Sequence, residues 1–244
     1  NLCEMVCTLE VKDYQGTLIR ERTALYDTQG QVIEITGHEP SGNAITSITY
    51  DEYGNIEIIE YPENHVQERL KYTYTYDPVV HTYPIQIEDY WLNTSSATYD
   101  FRYGLPLEVT DISGNKMLYT YYDGGKLESV TGPNEYGNAP FTIYCEYWDI
   151  QGSGAGLWAK TRHYDPINLN PNNPTGHNEF VTVNFSDGLG RSIQSKKTVT
   201  VNGANEILVS GINYIDRYGR VESASQPEID ISGTGITTLN FNSP

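Results

Sequence analysis

The chain has 244 residues, of which 38% are hydrophobic and 12% aromatic, which is enough for one sizeable domain with a buried interior. It carries 15 Lys and Arg against 32 Asp and Glu, for a formal net charge of −17. This balance disfavours a nucleic-acid partner and an anionic membrane surface, since both need a basic footprint. Tyr outnumbers Phe by 21 to 5, which favours a sheet wall with one face partly wet.

In chain order, residues 1–24 predict an entry pair of strands, with a degenerate turn at residues 11–16. A Tyr-Asp-x-x-Gly motif then recurs. The copies taken as complete are residues 26–30 (YDTQG), 50–54 (YDEYG) and 122–125 (YDGG). The predicted turn residues are Tyr26, Asp27, Gly30, Tyr50, Asp51, Gly54, Tyr76, Asp77, Tyr99, Asp100, Gly104, Tyr122, Asp123, Gly125, Asp187, Gly190, Arg191, Tyr214, Asp216, Gly219 and Arg220. From Tyr26 to Tyr122 the successive tyrosines are 24, 26, 23 and 23 residues apart, a period typical of a repeat array.

Each motif predicts a β-hairpin. The strand before it alternates, so that Tyr72, Tyr74 and Tyr76 share one face. The Asp carboxylate accepts a bond from a backbone N–H two residues on, and the Gly supplies a positive φ. We therefore expect an all-β fold of antiparallel hairpin repeats forming a spiralling sheet, with almost no helix. We expect Gly30, Gly54, Gly104 and Gly219 to lie in the turns.

The second half departs from this pattern. Residues 149–178 are rich in Gly, Pro and Asn, and predict an inserted loop region within a single repeat segment, 1–244. A hairpin is indicated where residues 198–201 meet Asn202 and Gly203. Residues 228–244 are polar and are expected to fray.

Several longer strings carry a family resemblance: residues 74–84 (YTYDPVVHTYP), 101–107 (FRYGLPL), 111–115 (DISGN) and 186–191 (SDGLGR). Over about residues 25–227 the chain resembles the YD-repeat, or Rhs, family, and in particular its bacterial branch. That family includes the Rhs toxins, the B and C subunits of insecticidal toxin complexes, and the teneurins. The match is weaker at 149–178.

The resemblance implies a strip of one long β-sheet wound into a hollow shell that encloses a C-terminal toxin or effector. It implies a secreted or cell-surface bacterial protein. The implied partners are flanking repeats of the same polypeptide, an encapsulated toxin, or a secretion or delivery partner. The family's Asp-Pro-x-Gly-Leu self-cleavage motif is missing, because Asp77-Pro78 is followed by Val79 and Asp165-Pro166 by Ile167. A non-catalytic wall segment is therefore the leading hypothesis.

Residues that could carry chemistry are sparse. No pattern indicates a metal site, a phosphate loop or a cofactor. Glu146 and Asp149, beside Tyr147 and Trp148, could form a glycosidase pair, or the four together could bind sugar by stacking. Turn acids and packed aromatics explain these residues more simply. The alternative that stays open is an extracellular adhesion or binding module that recognises glycan or a partner protein.

The cysteines indicate no disulfide framework. Cys3 and Cys7 would lie about 13 Å apart on an extended strand, too far for a bridge. A bridge from either one to Cys145 stays possible, although buried free cysteines are favoured. No apolar run reaches the roughly 18 residues of a membrane span, so no direct membrane insertion is expected. The chain begins at Asn1 and shows no obvious caps, so we expect a piece of a longer protein.

Overall fold

The computed structural model describes residues 5–40, 42–138, 140–148, 157–169, 177–231 and 235–239. These residues form antiparallel β-strands joined by turns, and no helix occurs among them. The expected all-β, antiparallel fold is confirmed. Contacts between Cα atoms divide the chain into two compact units, Asn1–Lys116 and Met117–Pro244, where the sequence predicts a single segment.

The first unit is a meander in which each strand pairs antiparallel with the next. Its strands are β1 (Thr8–Lys12), β2 (Leu18–Tyr26), β3 (Val32–Glu39), β4 (Gly42–Tyr50), β5 (Ile56–Glu63), β6 (Arg69–Tyr76), β7 (Pro84–Asp89), β8 (Thr94–Asp100) and β9 (Leu105–Thr110). The register shifts by one residue where a strand meets a Tyr-Asp turn, for example between Thr49 and Tyr50. Such a β-bulge is expected where a tight turn ends in a residue with positive φ.

The second unit contains β10 (Lys116–Tyr121), which begins at the last residue of the first unit, β11 (Leu127–Thr131), β12 (Ile143–Trp148), β13 (Leu157–Leu169), β14 (His177–Ser186), β15 (Ser192–Val201), β16 (Ala204–Val209), β17 (Asn213–Ile215), β18 (Val221–Ala224) and β19 (Glu228–Ile229). Strands β10 to β16 pair antiparallel in chain order, and β19 pairs with β16. Strands β17 and β18 form a separate two-stranded sheet.

The predicted loop region 149–178 is wrong over its central part. Strand β13 runs through Leu157–Leu169 and pairs with β12 on one side and β14 on the other. The Pro and Asn residues of this segment favour a loop. The backbone hydrogen bonds that β13 makes to a strand on each side favour the extended conformation more strongly. Residues 149–156 and 170–176 lie outside the described residues.

The two units differ in burial. Among the described residues of the first unit, only Thr36 and Asp77 are buried, and no hydrophobic side chain is. The second unit has a core around Val183, Phe185 and Leu239, against which Trp158 and three aliphatic side chains pack. The hydrophobic effect therefore stabilises the second unit more than the first.

Residues 235–239 cover this core, so the expectation that 228–244 frays is wrong for this stretch, whereas 232–234 and 240–244 lie outside the described residues. Leu239 is 7% exposed and packs on Val183 and Phe185 of β14. Below it, Lys196 and Asp230 form a fully buried ion pair with Nζ and Oδ2 2.8 Å apart. Lys196 also donates to the carbonyl of Gly235 at 3.0 Å. The residues that predict fraying thus include Asp230 and Gly235, which hold the segment in place by their bonds to Lys196.

Candidate functional site: the hairpin turns

Eight turns share one network of hydrogen bonds, illustrated by the turn that opens at Asp51. Its N–H donates to the carbonyl of the fifth residue, Asn55, at 2.9 Å, and the fourth residue, Gly54, donates back to the Asp51 carbonyl at 3.1 Å. Oδ1 of Asp51 accepts from the N–H groups of Tyr53 at 2.9 Å and Asn55 at 2.8 Å. The same four bonds recur in the turns that open at Asp13, Asp27, Asn64, Asp89, Asp111, Asp187 and Asp216.

The fourth position of every one of these turns has positive φ. Glycine supplies it in six turns, at Gly16, Gly30, Gly54, Gly114, Gly190 and Gly219, with φ between 76° and 90°. Gly104, which closes the turn after Asp100, has φ 67° and donates to the Asp100 carbonyl at 2.8 Å. The prediction for Gly30, Gly54, Gly104 and Gly219 is confirmed.

Two turns of the set were missed because they lack glycine. Leu92 with φ 65° and Gln67 with φ 64° take the fourth position in the turns that open at Asp89 and Asn64. The spacing Asp-x-x-x-Asn could have found the first of them. The side-chain amide of Asn93 donates to Asp89 Oδ2 at 2.9 Å, as Asn55 does to Asp51 and Asn115 does to Asp111.

These bonds hold the pKa of the turn carboxyls below the usual value at Asp13, Asp51, Asp89, Asp111, Asp187 and Asp216. At Asp89 the amide of Asn93 is the largest cause, and at Asp187 the backbone N–H of Arg191 is. At Asp51 burial acts most strongly and raises the pKa, but the bonds from Asn55 and its neighbours outweigh it. The turn acids therefore stay ionised because they serve the backbone.

Asp77 organises a longer turn. Its carboxylate is 1% exposed and accepts the N–H groups of residues 79–83, with Val80 closest at 2.6 Å. Burial alone would raise the pKa of Asp77, but these N–H groups outweigh it and hold the pKa far below its usual value. The Asp77 side chain thus satisfies the backbone N–H groups of a turn that contains no glycine.

The strand-ending tyrosines anchor neighbouring strands in the first unit. The hydroxyl of Tyr50 donates to the Val32 carbonyl at 2.9 Å, and the hydroxyl of Tyr76 donates to the Ile56 carbonyl at 3.0 Å. Tyr26 and Tyr99 make the same kind of bond, to the carbonyls of Val6 and Pro84. Each acceptor lies at or before the start of the strand preceding the tyrosine's own. The Tyr of the motif therefore ties one repeat to the one before it.

Successive turns also contact each other along the row that opens at Asp27, Asp51, Asp77 and Asp100, which we call the Tyr-Asp row. The side-chain amide of Gln31 donates to the Gly54 carbonyl at 3.3 Å, and that of Asn55 donates to the His81 carbonyl at 2.7 Å. The rings of Tyr53 and His81 stack with their centres 3.9 Å apart. Each of these contacts reaches the next turn of the row.

Farther along the Tyr-Asp row, Tyr83 stacks on Phe101, with ring centres 5.9 Å apart, and on Tyr99. Its hydroxyl lies so close to Gly104 that a Cβ at this position would displace the Tyr83 ring. Amide bonds thus join the first three turns of the row, with a ring stack between the second and the third, and aromatic stacking joins the last two.

In the second unit the turns carry arginine. Nε and Nη2 of Arg191 both lie on one oxygen, Oδ2, of Asp187, the aspartate that opens its turn. Arg220 contacts Oδ2 of Asp216 in the same way. Tyr214 does not anchor its turn as the motif predicts. It lies in the middle of β17, and Ile215 takes the last strand position.

The predicted turn at 122–125 is displaced by one residue. The N–H of Tyr122 donates to the Lys126 carbonyl and Gly125 donates to the Tyr122 carbonyl, so Tyr122 takes the place of the aspartate. Asp123 occupies the exposed second position. The Tyr122 hydroxyl donates to the Cys145 carbonyl at 2.9 Å, and burial raises the pKa of Tyr122. Gly125 follows Asp123 by two residues, one fewer than in the full motif, so the four-residue turn that ends at Gly125 opens at Tyr122.

The predicted sugar-binding patch is assembled only in part. Side chains alternate along β12, which puts Glu146 and Tyr147 on opposite faces, yet Tyr147 and Trp148 both line one groove with residues of β13 and β14. Oε2 of Glu146 lies 2.6 Å from Nζ of Lys160. Trp148 stacks on Trp158, which packs against the core. Asp149 lies outside the described residues.

Other candidate chemistry is limited in the part of the chain that the structure describes. No three His, Cys, Asp or Glu side chains there are placed to hold a metal ion. Cys145 is a buried free thiol as expected, whereas Cys7 is free but exposed, and Cys3 lies outside this part. The same residues include no helix long and apolar enough to cross a membrane.

Comparison with known proteins shows a likeness of fold alone. No family model and no curated protein matches the sequence. The crystal structure of TcdB2-TccC3 matches with a TM-score of 0.59 and 15% identity over 94% of this chain, and the form without the hypervariable C-terminal region gives 0.58 and 13% over 93%. The Tc holotoxin pore of Photorhabdus luminescens gives 0.61 and 13% over 89%. The chain spans only 14%, 16% and 17% of these three chains.

This likeness gives the antiparallel hairpin fold a precedent in Tc toxin proteins. At 13 to 15% identity it reaches no further than the fold.

Proposed function

We propose that this chain is a non-catalytic wall segment of a secreted YD-repeat, Rhs-like protein whose β-shell encloses a C-terminal toxin or effector. The observation that carries the proposal is the repeat-to-repeat bonding of the first unit. Tyr26, Tyr50, Tyr76 and Tyr99 each bond the neighbouring strand's backbone, and Gln31 and Asn55 each bond the next turn. Bonds of this kind hold a sheet together along its length.

A wall that is one sheet thick must satisfy its backbone without a core. The turns do this locally, because each opening Asp or Asn accepts N–H groups that would otherwise face water or a neighbour. The faces of the sheet need not then be buried, and the first unit buries no described hydrophobic side chain. The fold likeness to Tc toxin proteins supports this reading.

The acids support a non-catalytic role. In an acid–base site, two carboxylates converge on a cleft with pKa values pushed apart. Here the pKa values of Asp13, Asp51 and Asp111 move downward together, and each carboxylate is engaged by its own turn. Glu146, the residue closest to a catalytic candidate, is paired with Lys160.

The proposed partners are flanking repeats of the same polypeptide, an enclosed toxin, and a secretion or delivery partner. The proposed location is outside the bacterial cell or on its surface. A net charge of −17 favours solubility and a basic guest.

Electron microscopy of the parent polypeptide tests the proposal. We expect a closed hollow particle in whose wall this chain forms one strip. As an internal control, a variant parent in which Tyr50 and Tyr76 are both replaced by Phe should keep the strip but loosen it, because only the two anchoring bonds are lost. An open particle with no enclosed volume would contradict the proposal.

A binding module is the second candidate, and one groove favours it. The groove holds about 360 Å³ and is lined by Lys126, Tyr147, Asn184 and Ser192, among others. Tyr147 is 38% exposed, and the Lys126 ammonium lies 5.5 Å from its ring centre. A glycan array on the chain and on its Tyr147→Ala variant tests this. A glycan bound by the first and lost by the second would promote this candidate over the wall.

A further inference from the structure

The turns of the first unit alternate between the two ends of its strands. Opposite the Tyr-Asp row lies a second row, opening at Asp13, Asn64, Asp89 and Asp111, which we call the opposite row. Its tips carry exposed apolar side chains: Tyr14 is 95% exposed, Val66 56%, Trp91 64%, Leu92 74% and Ile112 66%. The turn that opens at Asp89 has the most apolar tip, Tyr90-Trp91-Leu92.

This tip is strained as well as exposed. Leu92 has φ 65° at the position where six equivalent turns have glycine. A branched side chain is unfavourable there, and glycine would relieve it. Neither the fold of the turn nor the packing of the chain requires Leu92, because its side chain is largely in water. A strained, exposed leucine beside an exposed tryptophan points to recognition.

The backbone of this turn can be desolvated at little cost in free energy. The N–H groups of Trp91, Leu92 and Asn93 all bond to Asp89, at 2.8, 3.0 and 2.9 Å. A partner that covers the tip therefore leaves none of these donors unsatisfied. The Tyr90 and Trp91 rings meet edge to face, with centres 5.6 Å apart, and form one rigid projection.

A small hollow adjoins this projection. It holds about 90 Å³, enough for one aliphatic side chain, and is lined by Pro62, Leu70, Tyr90, Trp91, Glu68 and Arg69, among others. A knob next to a hollow suits the interdigitating side chains of a protein surface, whereas a fluid bilayer gains nothing from the hollow.

The charges around the hollow indicate the partner's chemistry. Glu68 lines it, and Glu63 and Glu88 lie close by in sequence. The guanidinium of Arg69 is engaged by the carbonyls of Tyr61 and Ile45 and by the Glu60 carboxylate 3.4 Å away. The lining therefore holds one acid, Glu68, and one base, Arg69, whose guanidinium is already bonded within the chain. Glu68 is thus the charge offered to a partner, and the net charge of −17 on the whole chain disfavours a second copy.

We propose that the Tyr90-Trp91-Leu92 turn and its adjoining hollow dock a separate protein, one that offers an apolar socket for Trp91, an aliphatic side chain for the hollow, and Lys or Arg opposite Glu68. This docking surface goes beyond the wall role and would exist whether or not the wall encloses a toxin.

The test begins with the full chain carrying the photo-reactive residue p-benzoylphenylalanine at position 90, and a matched chain carrying it at position 14. Each is irradiated in an extract of the producing cells. The protein cross-linked at 90 but not at 14 is identified and purified, and its affinity for five chains is measured. They are the original, Trp91→Ala, Leu92→Gly, Glu68→Lys and Tyr14→Ala.

We expect Trp91→Ala to weaken binding at least about tenfold, as a central interface tryptophan does. We expect Leu92→Gly to weaken binding while raising the chain's unfolding midpoint, a combination that a merely structural leucine would not give. Tyr14→Ala should bind as the original does, and Glu68→Lys should weaken binding further.

Three results would overturn the proposal. One is no protein cross-linked at 90 beyond those at 14. Another is an affinity that Trp91→Ala leaves unchanged. The third is an occupant of another kind, shown either by dimers of the chain that Trp91→Ala dissociates or by Trp91-dependent binding to phosphatidylcholine vesicles.

Discussion

The two units of this chain stabilise β-sheet in different ways. In the first unit the bonds run along the backbone: turn aspartates hold their own loops, and tyrosines reach the neighbouring strand. In the second unit a hydrophobic core forms around Phe185 and is covered by residues 235–239. The same hairpin motif therefore works with or without a core. A core makes stability depend on a few buried groups, whereas the bonded rows distribute it over many exposed ones.

The largest expected loss of stability comes from breaking the buried ion pair of the second unit. Lys196→Met leaves the Asp230 carboxylate buried without its cation, and should destabilise the second unit by about 3–5 kcal/mol. Chemical denaturation measures this loss of stability, and hydrogen exchange shows in which unit it occurs. The control is Lys116→Met, which breaks a half-exposed pair with Glu108 and should cost less than about 1 kcal/mol. Equal losses would contradict the buried clasp.

Acid should destabilise the first unit more than the second, the reverse of the effect expected for Lys196→Met. Among the described residues, turn carboxyls with a lowered pKa number six in the first unit, at Asp13, Asp51, Asp77, Asp89, Asp100 and Asp111, and two in the second, at Asp187 and Asp216. A lowered folded-state pKa gives stability that is complete above the unfolded value of about 3.9 and is lost as pH falls through the folded pKa.

Hydrogen exchange at pH 6 and pH 3 should therefore show the first unit opening more than the second. Asp89→Asn keeps an oxygen acceptor, as Asn64 shows in its own turn, and removes the titration. That variant should lose less protection on acidification than the original chain around residues 89–93. If acid opens the second unit first, the ionised turn carboxylates are not a main source of the first unit's stability.

A third test strains one turn of the Tyr-Asp row. Gly54 has φ +86°, and a Cβ there would lie 3.0 Å from the Gln31 amide nitrogen. Gly54→Val should cost on the order of 1–3 kcal/mol in stability. Gly188→Val is the matched control, since Gly188 has no positive φ and open space around it, and its midpoint should hardly move. Thermal unfolding of both variants gives the comparison.

The smallest effect has the opposite sign. Leu92→Gly removes the strain of a left-handed leucine and should stabilise the first unit by about 1 kcal/mol. Leu92→Ala, which keeps the strain, should show no such gain. A loss of stability in Leu92→Gly would mean that the leucine side chain supports the fold, and would also weaken the docking proposal.

Much of the first unit follows from sequence because its determinants are local. An Asp that opens a turn and a Gly three residues later need only each other's backbone, so Asp27 with Gly30 and Asp51 with Gly54 can be predicted from the motif. The turn at Asp89 could not be found from a glycine rule, because Leu92 takes the strained position. The partners of the tyrosine hydroxyls were also beyond reach, since the Val32 carbonyl is chosen by strand register.

The second unit was predicted less well because its determinants are distant in sequence. Lys196 and Asp230 are 34 residues apart and lie in polar stretches. Nothing local indicates that they meet without water, or that Leu239 covers Phe185. The patch at Glu146, Tyr147 and Trp148 was predicted only in part. Tyr147 and Trp148 line one groove, whereas Glu146 pairs with Lys160 on the next strand, a partner that the local sequence does not indicate.

We propose that a strip of wall such as this chain draws its stability largely from neighbouring repeats. Thermal unfolding and light scattering of the chain alone can be compared with those of the chain extended by its natural flanks. We expect the chain alone to be marginally stable or to associate, and the flanks to raise its unfolding temperature and keep it monomeric. A chain that is stable and monomeric alone, and gains nothing from its flanks, would contradict it.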